Sequence, residues 1–140
     1  MMSQETRIRI PGLLEQIAVA CEFVGNAAHQ AGLDERAAYH CQLAVDEACT
    51  NIIEHGYQLK GGDKVIDVIC QADAHAFTII LMDDSPAFNP LLRPSPNPAT
   101  PLHERTTGGW GIYFIKQLMD EVRYAWRGRN QLIMVKRRRM

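Results

Sequence analysis

Ala44-Val45-Asp46-Glu47-Ala48-Cys49-Thr50-Asn51-Ile52-Ile53-Glu54-His55-Gly56-Tyr57 is the stretch from which the rest of the chain can be read. Val45, Ala48, Cys49 and Ile52 recur at three- and four-residue intervals, the spacing that makes one side of a helix a buried stripe. Ala38 and Cys41 continue the stripe upstream, so the pattern predicts a helix from about Glu35 to His55, capped by Asp34 and ended by Gly56. Glu47 and Asn51 stand four apart, hence one above the other, on a face taken to lie opposite Ala48 and Ile52; His55 follows at the same spacing. A carboxylate beside a neutral amide oxygen can pair a general base with a hard-cation ligand, because Mg²⁺ accepts one or two protein oxygens and completes its shell with phosphate and water. Taken alone, such a pair more often marks a solvated helix face.

Outward from this helix the periodicity changes. Thr6 to Ile10 alternates as a half-buried strand before Pro11-Gly12, and Leu13, Leu14, Ile17, Ala20, Cys21 and Val24 form a first helical stripe that Gly32 stops. After a turn at Gly61-Gly62, Val65 to Cys70 and Phe77 to Met82 read as an antiparallel pair, apolar on both faces and therefore central in a sheet. Six prolines between Ser85 and Thr107 exclude regular structure there, and a connection of that length in a small domain reads as a lid, at about residues 89–107. Gly108-Gly109-Trp110-Gly111 opens a helix carrying Ile112, Ile115, Leu118 and Met119. Strands Val122 to Trp126 and Leu132 to Val135 follow, joined at Gly128-Arg129-Asn130. This order predicts an α/β fold, a two-layer sandwich of a mixed, mainly antiparallel β-sheet with helices on one face.

With 140 residues, 46% of them hydrophobic, the chain suits one domain spanning 1–140. A net charge of -1 at pH 7 gives no basis for direct nucleic-acid binding or for a polybasic membrane surface, and no stretch approaches the roughly 20 apolar residues that cross a bilayer. Cys21, Cys41, Cys49 and Cys70 form no C-x-x-C pair and read as reduced core thiols, which with the absence of an apolar leader points to the cytoplasm. Lys136 to Arg139 reads as a solvated tail.

Two further groups can carry chemistry. Backbone N–H groups at Gly108-Gly109-x-Gly111, unobstructed at a helix N-terminus, suit phosphates, although a plain loop-to-helix junction has the same sequence. Asp83, closing an apolar strand before Asp84-Ser85-Pro86-Ala87-Phe88, can accept a hydrogen bond from an exocyclic amine; an ordinary turn has the same composition.

The order of these three segments resembles the stand-alone anti-sigma serine/threonine protein kinases of the GHKL ATPase superfamily, which share the Bergerat nucleotide-binding fold. Ala44–Tyr57 resembles the N-box, Asp83 to Pro90 the first glycine box, and Gly108 to Val122 the second. The resemblance implies an ATP- and Mg²⁺-dependent kinase with Glu47 as base toward a substrate serine and Asn51 as the Mg²⁺ ligand. It implies that Asp83 reads the adenine amine, that Ala87, Gly108, Gly109 and Gly111 surround the nucleotide, and that Arg105 contacts phosphate from the lid. Ser85 and Ala87 stand where the superfamily has glycines, which stiffens that loop. The implied partners are a STAS-domain anti-anti-sigma protein as substrate, a sigma factor, and a second copy in a homodimer. A non-catalytic partner-binding module on the same fold, and an ATP hydrolase, are the alternatives.

Overall fold

The structure, a computed structural model, describes residues 3–92, 99 and 110–138. In chain order these form β1 (Gln4–Gly12), α1 (Ile17–Gln30), α2 (Glu35–Asn51), β2 (Gly61–Ala72), β3 (Ala76–Asp83), α3 (Trp110–Leu118), β4 (Glu121–Trp126) and β5 (Asn130–Arg137). The five strands make one sheet in the order β1-β2-β3-β5-β4, with β2 and β3 inside it as their apolar runs require. The fold is the expected two-layer α/β sandwich, and every strand pairing among the described residues is antiparallel.

Period-2 alternation decides which face of the sheet the helices cover. In β3, Phe77, Ile79, Leu81 and Asp83 are buried while Thr78, Ile80 and Met82 are only partly so. Against that buried face pack Ile17, Ala20 and Val24 of α1, and Cys41, Val45 and Ala48 of α2, with Ile112 and Ile115 of α3 completing the core. Alanines at the α1–α2 contact let the two backbones approach closely. Leu14, expected in the first stripe, sits instead in a 3-10 turn and is exposed.

The boundaries have local causes. Gly32 takes φ +88° just past α1, a conformation that a Cβ would strain. Asp34 accepts a hydrogen bond from the Ala37 N–H at 2.7 Å and caps α2. At the other end α2 does not run evenly to His55: it ends at Asn51 and continues as a π turn over Ile52–Gly56, closed by Tyr57 N–H donating to Ile52 O at 2.7 Å. The chain then reverses through Gln58 and Leu59, both with positive φ, so neither Gly56 nor Gly61-Gly62 supplies the turn. Gly61 lies in β2 and pairs with Gly12 of β1. Both are glycines for steric reasons, because a Cβ on either would sit within 2.9 Å of Tyr57 Cδ2.

Two expectations about side chains resolve differently. The cysteines are unpaired; burial pushes the Cys41 and Cys70 thiols up to about 12, as inert core groups. The basic run, in contrast, is no solvated tail at Lys136, which is buried in β5, donates to Leu118 O at 2.6 Å and lies 3.1 Å from His40 Nδ1. A cation at the last turn of α3 meets the negative end of that helix dipole. Arg139 lies outside the described residues. No described helix is long and apolar enough to cross a membrane.

Asp34→Ala removes the only side-chain cap of α2 and is expected to lower stability by about 1 kcal/mol, read by urea denaturation as a lower midpoint at unchanged slope.

Candidate functional site

A cavity of about 400 Å³ opens between the C-terminal end of α2, the loop after β3, the start of α3 and the β4–β5 hairpin. Ala48, Ile52, Ile112 and Leu132 give it an apolar wall, and Asn51, His55, Asp83 and Asn130 bring polar groups to it. Ala48 and Ile52 therefore share the cavity with Asn51 and do not lie opposite it: at about 100° per residue, Ala48 is only about 60° and Ile52 about 100° from Asn51 in projection.

Asp83 takes the place that the alternation of β3 would give to the next core residue, so its carboxylate enters the cavity from beneath. One of its oxygens is fully engaged. Oδ1 accepts from Ser85 N–H at 2.9 Å, from the Ser85 hydroxyl at 2.5 Å and from Asn130 Nδ2 at 3.2 Å. Oδ2 accepts none among the described residues, which leaves a carboxylate oxygen at the edge of an apolar cavity able only to accept. Such an oxygen selects a donor, as an exocyclic amine is, and rejects a carbonyl.

At the other end of the site, α2 and α3 converge. A Cβ placed on Gly111 would lie 3.1 Å from Glu47 Oε2 and 3.8 Å from Asn51 Nδ2, so the missing side chain is what lets the first turn of α3 close over both. Burial raises the Glu47 carboxyl above its ordinary value, and the Asp46 and Glu54 carboxylates raise it further. A carboxyl shifted toward neutrality is a better proton acceptor than an ordinary glutamate.

Of the residues singled out in sequence, Glu47, Asn51 and Gly111 come together, Asp83 lines the same cavity as Asn51, and Ala87 stands at its exposed rim. Arg105, Gly108 and Gly109 lie outside the described residues, as do the side chain of Trp110 and the lid at 89–107 apart from Asn89–Leu92 and Ala99. Asp84, adjacent to Asp83, points to the opposite side of the sheet, where Arg129 Nε binds it at 2.7 Å. Three contributors went unread: Asn130 looked like a turn residue, Tyr124 like a strand residue, and Ser85 like a lost glycine. Only the position of Asn130 at the strand start, opposite Asp83, was a usable signal, and it needs the register.

The comparisons can be set beside this geometry of an apolar cavity with a carboxylate in its lining and a glycine in the first turn of α3. The chain belongs to the family described as histidine kinase-like ATPase domain, which it matches over residues 10–136. It is similar to the serine-protein kinase RsbW of Bacillus mycoides (strain KBAB4), 25% identical over 123 residues that cover 85% of this chain and 76% of the relative. The serine-protein kinase RsbW of Bacillus thuringiensis (strain Al Hakam) is 24% identical with the same coverage.

Ser85 has a steric counterpart. A Cβ on Gly56 would fall 2.8 Å from Ser85 Oγ and 3.0 Å from its Cβ, so room for the serine depends on a glycine at the end of the π turn. Gly56→Ala is expected to destabilise the fold by about 1–3 kcal/mol through overpacking. Ser85→Gly in the same chain should recover most of that loss, and urea denaturation of the four-member cycle reads the coupling; additive losses would contradict the contact.

Proposed function

We propose that the protein is an ATP- and Mg²⁺-dependent serine/threonine protein kinase and anti-sigma factor of a partner-switching system, transferring phosphate to a serine of a STAS-type antagonist. The observation that carries the proposal is the convergence of Glu47 and Gly111 on Asn51, which lines the same cavity as Asp83 with its free oxygen. The likeness to proteins named serine-protein kinases supports the choice of acceptor. In this reading residues 1–140 are one nucleotide-binding domain, with 89–107 as its lid and Arg105 as a phosphate contact, working in the cytoplasm as a homodimer.

The residues present fit the nucleotide and the ion. Asp83 Oδ2 takes the adenine amine, Ala48, Ile52 and Ile112 cover the ring, Ala87 stands at the cavity's rim, and the resemblance assigns the phosphates to Gly108, Gly109 and Gly111. The described residues contain no cluster of three or more His, Cys, Asp or Glu side chains that could hold a metal. This suits an ion held by one protein oxygen, from Asn51, and otherwise by phosphate and water. Bound Mg²⁺-ATP would supply the transferable phosphoryl group with its charge partly neutralised. Glu47 accepts the proton of the attacking serine hydroxyl, and its raised proton affinity favours that step. Asn51 and the start of α3 hold the reactants in place, which is most of what phosphoryl transfer asks of a protein.

Calorimetry of Mg²⁺-ATP binding tests the site without the partner: the wild type should bind and Asn51→Ala should bind less well. Glu47→Gln should keep ATP binding and reduce phosphotransfer to a STAS-domain acceptor, followed by intact mass, on the order of 10²- to 10⁴-fold. Transfer at the wild-type rate would remove Glu47 from the base role. The same substitution has an opposite effect on stability. Because the folded-state value of Glu47 is raised, the folded protein is penalised as pH rises through it, so Glu47→Gln should be the more stable protein at pH 7 and lose that advantage below the ordinary carboxylate range.

A further inference from the structure

Asn130 opens β5 and sits opposite Asp83 in the β3–β5 register, with its side chain buried on the cavity side of the sheet. Gly128, at φ +76°, makes the tight β4–β5 turn that delivers it there. Its amide reaches everything that shapes this end of the cavity. Nδ2 lies 3.2 Å from Asp83 Oδ1, 2.9 Å from Ser85 O, 3.1 Å from Ser85 Oγ and 3.2 Å from Pro86 O. Oδ1 accepts from Phe88 N–H at 3.1 Å and from the Tyr124 hydroxyl. The orientation of the amide follows from its backbone partners, since Phe88 N–H can only donate and the Ser85 and Pro86 carbonyls can only accept.

The serine completes the circuit. Its hydroxyl donates to Asp83 Oδ1 and accepts from Asn130 Nδ2, so three donors converge on one carboxylate oxygen. A carboxylate at a strand end is otherwise free to turn about its side-chain bonds and to present either oxygen, or both, to a ligand. With Oδ1 consumed it presents Oδ2 alone, in a loop already tied at Ser85, Pro86 and Phe88. Ordering the acceptor before the ligand arrives is the usual route to discrimination by a single hydrogen bond.

We infer that Asn130 is the positioning residue that sets base selectivity, by locking Asp83 so that only its Oδ2 meets the exocyclic amine of a purine. The inference rests on the proposal that the cavity takes an adenine nucleotide. Asn130 does not touch the base in this assignment; it acts through Asp83 and through the path of the loop.

The test compares two ligands by calorimetry, ATP and purine riboside 5′-triphosphate, which has the same ring and phosphates without the amine. The wild type should prefer ATP on the order of 10- to 100-fold, the range of one hydrogen bond to a charged acceptor. Asn130→Ala should bring the preference within about threefold while the affinity for the amine-free analogue changes little. A parallel loss for both ligands would mean that Asn130 is merely structural, and a preference kept in full would remove it from selectivity; either result overturns the inference. A wild type without preference overturns the reading of Asp83 and of the site itself, a separate failure. Should Asn130→Ala not fold, Tyr124→Phe frees one bond of the same amide with its ring packing intact and should still cut the preference by about threefold, an unchanged preference again counting against Asn130.

Discussion

Asp83, Ser85 and Asn130 are buried side by side, and apart from Asp83 Oδ2 their side-chain polar atoms are satisfied by one another, by the loop backbone and by Tyr124. A buried donor or acceptor left without a partner costs about 1–3 kcal/mol, and here Asp83 Oδ1 and Asn130 Nδ2 each have several partners, so the loop is over-determined. The path of the chain from Asp83 to Phe88 follows from this constraint and not from backbone freedom. A glycine at position 85 would have given the loop flexibility; the serine gives it a donor and an acceptor. The room that the serine needs is found elsewhere, at Gly56 in the π turn.

The same loop is held from its other side by groups of lesser energy. Tyr57 lies across Gly12 and Gly61, donates its hydroxyl hydrogen to Val65 O at 2.5 Å and accepts from Asp84 N–H at 2.9 Å. Burial pushes that phenol up to about 12, so it stays a neutral donor at any working pH. Asp84 and Asp67 share Arg129 on the open face of the sheet, and Asp67 also binds Arg9 at 2.8 Å. Arg9 is open to solvent and its pair contributes about 0–1 kcal/mol, whereas Arg129 and Asp67 are partly buried against one another. Two adjacent carboxylates thus meet two adjacent hairpin residues on opposite faces, Asp83 with Asn130 and Asp84 with Arg129, and the buried pair decides the geometry.

The fold was legible wherever periodicity was strong. The stripes of α1 and α2 follow from a 3.6-residue period, and the runs of β2 and β3, apolar on both faces, from their short length, β-branched content and flanking turn residues. The ends were less legible for a physical reason. Gly61-Gly62 looks like a turn in sequence, yet Gly61 is there to admit the ring of Tyr57, and the reversal is made by Gln58 and Leu59, which carry no turn signature. Glu47, Asn51, Asp83 and Gly111 were legible because each lies within a short local motif. Asn130 was not: its role is created by register with a strand 47 positions earlier, information that no local window contains.

Electrostatics at the phosphate end point the same way as the geometry. Asp46, Glu47 and Glu54 raise the local negative charge, and no described cation pairs with Glu47. A structural residue in that position gains nothing from ionisation, and an amide or an aliphatic side chain there would be more stable at neutral pH. A bare anion would also be repelled by such a cluster, whereas an anion carrying a divalent cation would not, and the N–H groups at the start of α3 add positive potential on the facing side. The arrangement is unfavourable for the resting fold, and under the proposed function it suits a proton acceptor beside a metal-bound phosphate, the balance expected where stability has been given up for chemistry.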